Sequence, residues 1–183
     1  MANLIDISFF FGEVNIAQKS DAAGSLGLFI DEMEPRLLTD LLGYELWKAY
    51  TTGIAAGSPD AKWLAIRDGK EYTNRAGYLT FWNGLKFTKG GIKKSLIANY
   101  IYWHWMADQA TVTTGTGEKT PAAANAVDAS PARKMVRAWN QMVCWNLELI
   151  EFLLSNPTDY PEFQSYYSRI PCSLLKKQNV FGI

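Results

Sequence analysis

The string Gly115-Thr116-Gly117-Glu118-Lys119-Thr120 has the residue types of a phosphate-binding loop: glycine amides that can close on an oxyanion, a lysine and a hydroxyl. Its spacing does not fit. A Walker loop places glycine directly before the lysine, and here Glu118 stands there. Such a loop also follows a strand and opens a helix. Here a helical pattern precedes it, and Pro121 with an alanine-rich stretch follows. The single histidine, His104, sits in Tyr102-Trp103-His104-Trp105, and Asp108 is the one carboxylate a helical turn away. One imidazole and one carboxylate assemble neither a metal site nor an activated nucleophile. Asp31, Glu32 and Glu34 cluster on the first helical pattern at spacings that read as a solvated acidic face. No nucleophile elbow, Cys-His pair or carboxylate pair with a companion base appears. The residues therefore predict no catalysis, no metal and no cofactor.

The elements that would carry these residues are legible from composition and periodicity. The chain has 183 residues, 48% of them hydrophobic and 20% charged. That length folds as one domain with a substantial core, burying roughly 70% of the extended chain's surface. Lysines and arginines equal aspartates and glutamates at 18 each, which argues against a strongly basic nucleic-acid binder and against an acidic disordered tail. Two cysteines build neither a disulfide scaffold nor a zinc site. Cys144 and Cys172 are read as reduced thiols, Cys144 as a small hydrophobe within a helix. The opening MANLIDISFFFGEVNIAQ lacks a basic n-region, so a standard secretory signal is not expected. No apolar run reaches the ~18 residues of a membrane span. Aromatic residues make up 14% of the chain, enough to serve both a core and an interface.

The pattern predicts a mainly α fold: a helical bundle with a small β-hairpin and extended terminal arms. An N-terminal arm covers 1–23, with a short strand near Glu13 to Ala17 and a Phe9-Phe10-Phe11 cluster that needs a partner. The helical domain covers 24–160. Its first helix starts near Ser25, with Leu26, Phe29, Ile30, Met33, Leu37 and Leu38 at three- and four-residue steps, and Pro35 inside the pattern. Gly43 breaks it, Tyr44 to Tyr50 continues helically, and Asp60 can cap a short helix to Arg67. A hairpin is predicted near 70–88 from β-prone pieces flanking Asn74 and Gly77, with Asn83-Gly84 as a second turn signal. Two strong helices follow, Gly91 to Gln109 and Pro131 to Leu154, the latter opened by Ser130-Pro131. Between them lies a long Thr-, Gly- and Ala-rich loop, 111–129. Residues 161–183 read as an irregular tail.

Charge is unevenly distributed. Residues 1–56 carry eight acidic and three basic side chains, and residues 57–110 carry four acidic and eight basic. Flanks of opposite sign allow one copy to attract the next head to tail, and such heterologous contacts close into rings when the rotation permits. Lys86, Lys89, Lys93 and Lys94 form the densest basic group, a weak signal for phosphate without arginines beside it.

The order of elements resembles the tailed-phage head–tail connector (adaptor, neck ring) proteins, especially those of phages and prophages of Bacteroides-type hosts. The resemblance rests on Leu41-Leu42-Gly43-Tyr44-Glu45-Leu46-Trp47, Trp82-Asn83-Gly84-Leu85-Lys86 and Ala98-Asn99-Tyr100-Ile101-Tyr102-Trp103-His104-Trp105. The loop with Gly115-Thr116-Gly117, then Ser130-Pro131 and Ala138-Trp139-Asn140, completes it over roughly residues 25 to 155. It implies a virion structural protein without catalysis or cofactor. Such a protein sits in the neck between head and tail and passes through the host cytoplasm during assembly. It implies a ring, commonly of twelve subunits, bound to portal protein and to tail or neck proteins. Double-stranded DNA would pass through without sequence-specific binding, and no membrane is involved. The interface residues expected on this basis are Thr113, Thr114, Gly115, Gly117 and Lys119 in the loop, Phe10 and Phe11 in the arm, and Phe181 and Ile183 in the tail. Another neck or tail-completion protein, or an enzyme of an unrelated helical family built around His104, are the alternatives.

Overall fold

The computed structural model describes residues 3–16, 20–109, 112–114, 117–119 and 132–179. The architecture is mainly α with small antiparallel ribbons. Helix α1 spans Ser20–Leu42 and buries Leu26, Ile30, Leu37, Leu38 and Leu41 along one stripe. Pro35 lies inside α1 without ending it, at the cost of a single main-chain bond. Gly43, at φ +78°, ends α1 and sets the turn into α2, Tyr44–Ile54. A Cβ on Gly43 would lie 2.5 Å from the Tyr166 ring, so the glycine serves the packing as well as the turn. Helix α3, Ala61–Asp68, starts at Asp60, whose side chain makes no capping bond.

The long helices α4, Leu96–Asp108, and α5, Ala132–Ser155, pack on each other, and α4 also packs on α1. Helix α4 is buried around most of its girth, which explains its weak amphipathic pattern. Rings fill the space between α5 and the elements that lie between α1 and α4. Phe152 of α5 stacks on Trp82 at 6.2 Å and meets Tyr72 edge-on at 5.2 Å, while Trp63 bridges Tyr50 and Tyr160. Their polar ends reach main-chain carbonyls: the Trp82 indole donates to Ile66, the Tyr160 hydroxyl to Lys62 and the Tyr166 hydroxyl to Asp40.

The predicted hairpin is present as β1, Lys70–Thr73, against β2, Leu79–Trp82, joined through Asn74 and Gly77. A second ribbon was not expected. Strands β3, Lys86–Lys89, and β4, Ile92–Ser95, pair through a Gly90-Gly91 turn in which both glycines have positive φ. The helix expected from Gly91 therefore starts at Leu96, capped by the Ser95 hydroxyl, which accepts from the Ile97 amide at 3.1 Å. At the base of the first ribbon, segments 67–69 and 82–84 cross closely. Gly69 and Gly84 adopt φ of +92° and +95°, and a Cβ on either would fall 2.3–2.6 Å from main-chain atoms of the other segment.

Both terminal regions differ from the extended arms expected. Residues 3–16 fold into two 3₁₀ turns, Ile7–Phe9 and Gly12–Val14, with no strand at Glu13 to Ile16. Val14 and Ile16 are nevertheless both buried. Residues 161–175 form α6, Pro161–Tyr166, and two further 3₁₀ turns, Tyr167–Arg169 and Cys172–Leu175. Phe163, Ile170 and Leu174 bury there, so this region is part of the core.

Candidate assembly surfaces

The β1–β2 ribbon has one face in the core and one in solvent. Tyr72 and Trp82 turn inward, while Tyr78, Leu79 and Phe81 are 71%, 69% and 57% exposed. Leu79 pairs with Thr73 and Phe81 with Glu71 on the outer face. The ribbon is held to α5 by Arg75, which forms an ion pair with Glu151 at 2.6 Å. The Arg75 guanidinium keeps the Glu151 carboxyl below its ordinary range. Exposed large apolar side chains clustered on a short ribbon make a candidate contact surface. The sequence carried this signal as two-residue alternation over Tyr78 to Trp82, but not which face the core takes.

A second group lies on the arm and β4. Phe11, Ile92 and Ile7 are exposed, and a Cβ on Gly12 would touch Ile92 at 3.4 Å. The arm wraps the β3–β4 ribbon. Lys93, on one face, donates to the Ser8 hydroxyl at 2.6 Å and lies over the Phe9 ring. Ile92 and Lys94, on the opposite face, meet Gly12 and Glu13, with Lys94 3.6 Å from Glu13. Lys86 and Lys93 also help to lower the Asp6 carboxyl pKa, after the larger contribution of its bond from Ser8. The acidic early segment and the basic ribbon thus neutralise each other partly within one chain. The basic group is therefore largely committed to the arm, although Lys89 remains exposed beside Ile92.

Helix α5 also receives residues 174–178. Asn146 donates to the Leu174 carbonyl at 2.9 Å and the Trp139 indole to Lys176 at 3.0 Å. Asn140 both donates to the Gln178 carbonyl and accepts from its amide, at 2.8 and 2.7 Å. These bonds go to main chain, so the helix reads an extended backbone rather than particular side chains. Asn140→Ala is expected to raise hydrogen exchange at the Gln178 amide about tenfold while leaving global stability within about 1 kcal/mol. Unchanged protection there would show that the two bonds do not hold the segment.

The acidic face read into α1 is only partly solvated. Glu34 is 3% exposed, and its carboxylate accepts from the Leu4 and Ile5 amides at 2.7 and 3.2 Å. Desolvation outweighs these bonds and raises its pKa to about 7. Asp31 bonds to Asn3 beside it. His104 is half-buried against Tyr100 and Trp103, with ring centroids 4.4 and 4.8 Å away, and burial lowers its pKa. Cavities of about 280, 300 and 210 Å³ lie between α2 and α6, between the arm and β3, and between the arm and α1. Among the described residues, no group of three or more metal-ligating side chains converges. No helix among them is long and apolar enough to cross a membrane.

The described ones among the expected interface residues lie on the arm and on a short ribbon within 111–129. Phe10 is fully buried in the chain's own core, which corrects its reading as a contact residue, because no part of its ring is open to a neighbour. Phe11 next to it is exposed. The described residues of the 111–129 segment form a ribbon. Strand β5, Val112–Thr114, pairs with β6, Gly117–Lys119, setting Thr114 opposite Gly117 and Thr113 opposite Glu118. Lys119 thus ends a strand that turns back on β5. Gly115, Phe181 and Ile183 lie outside the described residues. No protein-family model, curated protein or solved structure matches the chain.

Proposed function

We propose that this chain is a structural subunit that works by docking against other protein chains, in the head–tail connector ring of a tailed phage or prophage. The observation that carries the reading is the pair of exposed apolar groups on different elements, Tyr78, Leu79 and Phe81 on the first ribbon and Phe11 and Ile92 at the arm and β4. A chain with two such surfaces can hold more than one neighbour, as a ring subunit between portal and tail must. The aromatic and aliphatic anchors suit buried contact centres. Zero formal net charge suits a conduit that lets DNA pass without gripping its phosphates.

Electron microscopy of virions from the host, with the chain labelled by antibody, tests the placement. Label between head and tail supports it, and label elsewhere in the particle overturns it. Deleting 113–120 is expected to leave the circular dichroism spectrum and thermal midpoint close to those of the parent, while particles accumulate with heads and tails unjoined. Unfolding of the deletion variant would make that ribbon part of the fold instead of the contact.

A further inference from the structure

We infer that β2 is the contact strand of a two-fold dimer, pairing antiparallel with β2 of a second copy so that Leu79 of each faces Phe81 of the other. Within the described residues β1 and β2 pair only with one another, so each has an open edge. The Asn74 amide donates to the Tyr78 carbonyl at 2.8 Å, which makes that pair hydrogen-bonded. Alternation then makes Tyr72–Thr80 and Lys70–Trp82 the bonded pairs and directs the N–H and C=O of Leu79 and Phe81 to the open side. Their side chains stand in solvent on the outer face of the ribbon.

The two edges differ in charge. Strand β1 carries Lys70 and Glu71, the kind of charge that protects natural edges. From Gly77 to Trp82 there is no charged residue, no proline and no bulge. A copy related by a two-fold axis through Thr80 fits this edge. Leu79 and Phe81 of each strand exchange both main-chain bonds with Phe81 and Leu79 of the other, and Leu–Phe pairs form across the join. No like charges are brought opposite one another. This contact closes at two copies, so it is separate from the heterologous contact a ring requires. It shares Leu79 and Phe81 with the contact surface of the connector proposal and is a property of the free chain before assembly.

Thr80→Cys, with Cys144→Ser and Cys172→Ser removing the native thiols, tests the pairing. At the axis, Thr80 faces its own copy in a non-bonded pair whose Cα atoms lie roughly 4.5 Å apart, within disulfide reach. With oxidised glutathione as oxidant, the two thiols become one interchain disulfide and the glutathione disulfide is reduced to two thiols. A covalent dimer and no larger species is expected. Adding Phe81→Glu should reduce cross-linking at least tenfold with the circular dichroism spectrum retained, and Thr73→Cys on β1 should cross-link weakly. Absence of the dimer overturns the proposal. So does a ladder of larger species, or cross-linking that Phe81→Glu leaves unchanged. The readout is made on purified protein and is blind to position in a particle, so it and the virion labelling stand or fall separately.

Discussion

Gly84→Ala is expected to lower the thermal midpoint by roughly 6–12 °C, equivalent to about 3 kcal/mol or more. Two costs combine. An L-residue at φ +95° pays about 1–2 kcal/mol for the left-handed conformation. The new Cβ also falls 2.6 Å from the Arg67 carbonyl oxygen and from main-chain atoms of Asp68 and Gly69, which cannot rotate away as a side chain would. Segments 67–69 and 82–84 must separate, straining the Leu85 amide bond to Ile66 and the indole bond of Trp82. Gly77→Ala is the control. Its φ is +86°, but nothing lies within 4 Å of the added carbon, so only the conformational cost of about 1–2 kcal/mol applies. Equal losses in the two variants would show that the close crossing carries no weight.

Glu34→Gln should reverse sign with pH. The folded pKa is raised from 4.5 to about 7, so the stability linked to this carboxyl is fully present below pH 4.5 and is lost as pH rises to 7 and above. Well above pH 7 the parent carries a buried anion at a cost of roughly 3–4 kcal/mol, which the neutral amide avoids while its carbonyl still accepts from the arm. The variant should therefore match or exceed the parent at pH 8 and fall to parity or below at pH 5. Asp31 on α1 opposes the charge, and Lys86 on β3 favours it. His104, with its lowered pKa, works in the opposite direction, losing stability as pH falls, but parent and variant share it. Urea unfolding of both proteins at the two pH values measures the difference. A constant offset between them would remove Glu34 as the source.

The helices were readable because their signals are local. The stripe of α5 from Trp139 through Met142, Val143, Leu149 and Leu153 coincides with its buried face. The first turn was readable for the same reason, through Asn74 and Gly77. Ile92 and Leu96 are four residues apart, so β4 looked like the start of α4. Gly90-Gly91 was the stronger cue, because both residues need positive φ. Glu34 could not be recognised as buried from sequence, since its partners are main-chain amides about 30 residues away and leave no side-chain signature. The outer face of β2 was equally hidden. Alternation separates Phe81 from Trp82, but only the fit of the Trp82 ring on Phe152 decides which one enters the core.

The arm that embraces the β3–β4 ribbon imposes an order on biosynthesis. Ser8 leaves the ribosome 85 residues before Lys93, its partner. At about 5–20 residues per second, Ser8 and Phe9 wait roughly 4–17 s for the lysine that meets them. During that interval the nascent chain carries its Phe9-Phe10-Phe11 triplet without β4 beside it, a ready target for a chaperone that binds aromatic segments during translation.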